Sequence, residues 1–69
     1  MILNDLKEIL IASRAYVYQG KSKREHHFRR MEKAGFKEMY DQFGEREVVS
    51  VRGHGGTEDG VLDIFVKAE

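Results

Sequence analysis

The 69 residues leave room for one domain, 1–69, with a core near the lower limit of what apolar burial can sustain. Twelve Lys and Arg balance twelve Asp and Glu, and 41% hydrophobic beside 35% charged residues describes a folded chain, not a disordered one. The absence of cysteine excludes a disulfide framework and thiolate metal sites, and suits a reducing, cytoplasmic setting.

The chain begins with apolar residues that Asp5, Lys7 and Glu8 interrupt, so neither a signal peptide nor a membrane span is expected there. From Ile2 to Tyr18, the residues Ile2, Leu3, Leu6, Ile9, Leu10, Ser13, Tyr16 and Val17 fall in one arc at helical spacing. This predicts an amphipathic helix. A second stripe, Ile11, Ala15 and Tyr18, would lie on its other side and offer a further contact surface. The β propensity of Ala15-Tyr-Val-Tyr18 leaves room for a short strand after Ser13.

Ser22-Lys-Arg-Glu25 fits a capping box, which predicts a second helix over Lys23–Ala34, closed by Gly35. Phe28 and Met31 would share its apolar face, with His27 at the margin. Lys23, His26, Arg29, Arg30 and Lys33 would share its basic face. Phe36, Met39, Tyr40 and Phe43 recur at i, i+3, i+4, i+7 and predict a third, short helix ending at Gly44, with a strand as the competing assignment. Glu47–Arg52 and Val61–Lys67 are partly alternating and β-branched, and the glycine-rich stretch 53–60 between them reads as a hairpin loop. The expected fold is therefore α+β, with two or three N-terminal helices packed on a C-terminal antiparallel β-hairpin. Its core would hold Leu6, Ile9, Leu10, Phe28, Met31, Phe43, Val49, Ile64 and Val66.

Charge is distributed unevenly. Residues 1–34 carry eight bases and four acids, and residues 35–69 carry four bases and eight acids, so the halves are near +4 and −4. Such a split favours oriented encounters with a charged partner. The order of elements resembles part of a winged helix, which would imply DNA contact by Phe36–Phe43 and the hairpin. That segment sets Lys37 against Glu38 and Asp41, and the loop carries Glu58 and Asp59, so both offer phosphate little attraction. Gly53-His-Gly-Gly56 lacks the Gly-Lys-Ser/Thr ending of a phosphate loop. His54, Glu58 and Asp59 are too few for a firm metal site. No pairing of nucleophile with base is visible, so neither enzyme activity nor a cofactor is expected.

The function expected from these residues is non-enzymatic protein binding, by a small regulator or inhibitor that occupies a partner's surface. Its contact would use Lys23, His26, Arg29, Arg30 and Lys33, extended by Tyr18, against an acidic protein surface. Nucleic-acid binding by the same basic helix is the alternative, disfavoured by zero net charge. The small core, the second stripe and the hairpin's open edges also predict a homodimer.

Overall fold

A computed structural model describes residues 1–20, 25–53 and 60–68. It is a four-stranded mixed sheet with one short helix in the middle of the chain, not a set of N-terminal helices on a hairpin. A 3₁₀ turn, Leu3–Leu6, is followed by β1 (Arg14–Gln19), β2 (Glu25–Arg29), α1 (Lys37–Phe43), β3 (Val48–Gly53) and β4 (Val61–Val66). The strands lie in the order β2-β1-β4-β3. The two hairpin pairings, β1–β2 and β3–β4, are antiparallel, and the central pairing β1–β4 is parallel. This arrangement also removes the resemblance to a winged helix.

The long helix predicted over Ile2–Tyr18 reduces to the 3₁₀ turn, in which Asp5 accepts a hydrogen bond from the Ile2 N–H at 3.0 Å. The apolar arc is split. Leu3 and Leu6 are buried, but Ile9 is 67% exposed. From Arg14 the period changes to two: Ala15 and Val17 point into the core, while Arg14, Tyr16 and Tyr18 point away. β1 is a central strand with neighbours on both sides, so two ladders of main-chain hydrogen bonds replace those a helix would supply. The stripe Ile11, Ala15 and Tyr18 does not exist as a surface, because Ala15 is in the core and Tyr18 is on the opposite face.

The second predicted helix is also overturned. Glu25–Arg29 is a strand in register with β1, from Tyr18↔Glu25 to Arg14↔Arg29. Gly20, at φ +56°, follows β1 in a left-handed conformation suited to glycine. Ser22, Lys23 and Arg24 of the expected capping box lie outside the described residues. The Glu25 carboxylate accepts a hydrogen bond from the Tyr18 hydroxyl instead. Gly35 closes no helix. It forms a tight loop with Met31, whose N–H and C=O both bond to the Gly35 main chain.

The third predicted helix and the hairpin are present. α1 ends at Gly44, whose N–H donates to the Tyr40 carbonyl. α1 and the N-terminal turn cover one face of the sheet. There Ala15, Val17, Phe28, Ile64 and Val66 pack with Leu3, Leu6, Phe36, Met39 and Phe43. Phe28 and Phe43 meet edge to face at 5.9 Å. Leu10 packs against this core from its margin. Three expected core residues lie outside it: Ile9, Met31 and Val49, the last two each 61% exposed. Met31 follows the end of β2. Val49 is displaced by a register shift between Val48 and Ser50, which breaks the alternation and puts Val48, not Val49, opposite Val66. Among the described residues, no helix is long and apolar enough to cross a membrane.

Candidate functional site: the uncovered face of the sheet

Alternation that buries one face of the sheet loads the other with rings and charges. β1 contributes Arg14, Tyr16 and Tyr18, and β2 contributes Glu25, His27 and Arg29. β4 contributes Asp63 and Phe65, and β3 contributes Ser50 and Arg52. No element among the described residues lies over this face.

The rings are held in pairs. Tyr16 stacks on His27 at 4.6 Å with the planes 13° apart. Tyr18 stacks on Phe65 at 4.8 Å and 14°. Both pairs follow from register, since Tyr16↔His27 and Tyr18↔Phe65 are direct cross-strand neighbours. The Arg52 guanidinium lies 4.7 Å from the centre of the Phe65 ring, a cation–π distance. The Tyr18 hydroxyl sits between two carboxylates, 3.1 Å from Glu25 and 3.5 Å from Asp63. Desolvation and these two acids push its pKa up to about 12, because both disfavour the phenolate. The face therefore has an arginine end, where Arg14 pairs across the strands with Arg29, and an acidic end around Tyr18.

The residues expected on one basic face are dispersed. Arg29 and Tyr18 belong to the uncovered face. His26 points the other way, half-buried, with its ring 5.0 Å from Phe43 and its Nε2 3.4 Å from the Gln19 amide nitrogen. His26 and His27 thus exchange their expected places, His27 being the exposed one. Arg30 lines a groove on the helix side with Lys7, Lys37 and Tyr40. Lys33 is exposed in the loop between Met31 and Gly35. Lys23 lies outside the described residues, as do His54, Glu58 and Asp59. Among the described residues, no group of three or more His, Asp or Glu is placed to hold a metal ion. Among the face's residues, sequence reasoning missed Arg14, Tyr16, His27, Arg52, Asp63 and Phe65. The alternation Arg14-Ala-Tyr-Val-Tyr18 carried a signal for two of the rings, but the helical period masked it.

No protein-family model, curated protein or solved structure matches this chain.

Proposed function

We propose that the chain is a non-enzymatic protein-binding module whose contact surface is the uncovered face of the sheet, turned toward an acidic surface of its partner. The observation that carries this reading is the juxtaposition of four rings and three arginines on one uncovered face. Tyr and Arg are the residues that most often dominate binding energy at protein interfaces. Paired rings are already ordered, so little side-chain entropy remains to be lost on contact. By occupying a partner's surface in this way, the module would act as a regulator or inhibitor.

The ring geometry favours protein over nucleic acid. Base stacking needs ring faces open to the ligand. Here Tyr16 and His27 turn faces toward each other, as do Tyr18 and Phe65, and Arg52 takes a further contact with Phe65. The cysteine-free sequence supports placing the module in the cytoplasm as part of the same proposal.

The test is affinity capture from nuclease-treated extract, followed by titration of the purified partner against wild type and variants. Arg52→Glu should weaken binding about tenfold or more, and the wild-type affinity should fall as salt rises. Lys33→Glu, away from this face, should leave binding unchanged. Circular dichroism controls for folding. A partner lost on nuclease treatment, with single-stranded oligonucleotides binding directly, would replace this reading by the nucleic-acid one. Binding indifferent to Arg52 would move the contact elsewhere.

A further inference from the structure

We infer that β2 is a self-complementary edge, through which two copies of this chain join their sheets into one continuous eight-stranded sheet. This concerns the rim of the sheet, and it stands whatever partner its face takes.

The two edges of the sheet differ. The β3 edge is obstructed. Val48 donates its N–H to the Met1 carbonyl at 2.8 Å, Ile2 bridges to Glu47, and the bulge at Val49 interrupts regular pairing. These are devices that keep an edge strand from adding a neighbour. The β2 edge has none of them among the described residues. Its five residues pair with β1 in unbroken register.

The direction of the free main-chain groups follows from one bond. Arg30 donates its N–H to the Ser13 carbonyl at 3.0 Å, so Arg30 faces β1. Alternation turns the groups of Phe28 and His26 the same way. It leaves the N–H and C=O groups of Glu25, His27 and Arg29 pointing off the sheet.

An antiparallel copy can pair all five residues in only one register, centred on His27. That register places Glu25 opposite Arg29 of the second copy, and Arg29 opposite Glu25, so opposite charges meet at both ends of the strand. His27 meets its own counterpart on the two-fold axis. Phe28 meets His26 of the second copy on the helix side. The residues opposed in this way are those with outward main-chain groups, so each such pair exchanges N–H···O=C bonds in both directions. The two-fold axis stands perpendicular to the sheet and keeps both helices on one side. Other registers leave residues unpaired or set like charges together. A groove of about 680 Å³ runs beside this edge, lined by Phe28, Met31, Phe36 and Met39 among others, and gives the second copy an apolar margin on the helix side.

The experiment is sedimentation equilibrium of the whole chain over a wide concentration range. Wild type should dimerise. Glu25→Arg and Arg29→Glu, each checked for folding by circular dichroism, should raise the dimer Kd about tenfold or more, because each sets like charges opposite one another twice. An equimolar mixture of the two variants should dimerise again, since each chain then meets opposite charge at both ends of β2. The chain has no cysteine, so His27→Cys supplies a single thiol. Its Cα should lie about 5.5 Å from its counterpart, within disulfide reach, and oxidation should link the dimer faster than it links Glu25→Cys. A monomeric wild type, a mixture that stays monomeric, or equal crosslinking of the two thiol variants would each overturn the inference. Since Arg52 is not on this edge, loss of partner binding in Arg52→Glu and loss of dimerisation are separate results.

Discussion

Ile64 and Phe65 are adjacent in the chain and opposite in situation. Ile64 is fully buried beneath the helix side of the sheet, while Phe65 stands half-buried on the uncovered face between Tyr18 and Arg52. Both are large and apolar. Only the face on which alternation puts them separates a residue that holds the fold from one that is available for contact. The covered face is closed by α1 and the N-terminal turn, whereas the other face carries its rings as ordered pairs with charged groups around them.

The largest expected effect breaks the covered face. Ile64→Ala should cost about 2–5 kcal/mol through lost transfer energy and a cavity. For a domain with so small a core, that is most or all of the stability available. Phe65→Ala should cost less, about 0.5–1.5 kcal/mol from the lost ring pairing on top of the area term of a half-buried ring, while weakening partner binding. Urea denaturation of the two variants measures the contrast directly. Equal losses would mean the two faces are energetically alike.

A smaller effect tests how the covered face is closed. A Cβ at Gly44 would collide with the Asn4 side chain and the Tyr40 carbonyl, although its φ of −56° is open to any residue. Here the N-terminal turn docks on the end of α1, with Asn4 donating its N–H to the Gly44 carbonyl at 2.8 Å. Gly44→Ala should therefore destabilise by about 1–3 kcal/mol through overpacking. Among the described residues, no atom lies near the missing Cβ of Gly53, so Gly53→Ala serves as the control and should change stability little. Thermal unfolding of both reports the difference.

The smallest effect belongs to the uncovered face. The Tyr18 pKa is raised from 10.0 to about 12 in the folded protein. Its contribution to stability is therefore full below about pH 10 and is lost as pH rises through about 12. Wild type should lose stability across that window more steeply than Tyr18→Phe. Tyr40, whose pKa is raised by burial, titrates in both proteins and cancels in the comparison. Denaturation free energies measured against pH check it, and parallel curves would separate the hydroxyl from the fold's energetics.

How much was legible depended on how local each element's cause is. α1 was readable because Phe36, Met39, Tyr40 and Phe43 mark one face at helical spacing and Gly44 follows. The β3–β4 hairpin was readable because its turn residues and β-branched runs are contiguous, although the bulge at Val49 was not. β2 was hidden, and β1 was legible only as the alternative strand after Ser13, because Tyr16, Val17, Phe28 and Met31 satisfy a helical period by coincidence. The basic face fell with the second helix: the strand sends Arg29 to one side of the sheet and His26 to the other.

By itself, the sequence determined a short helix ending at Gly44, a C-terminal hairpin and part of the apolar stock of the core. Each follows from composition or from spacing within one segment. The tertiary structure alone decided that residues 25–29 are a strand, that the short strand left open after Ser13 forms in place of a helix, and that Tyr16, Tyr18, His27 and Phe65 meet on one face. The reason is the parallel pairing of β1 with β4, which sets Tyr18 beside Phe65 across most of the chain. A central strand takes its hydrogen bonds from both neighbours, and no periodicity within Arg14–Gln19 records that the second of them is β4.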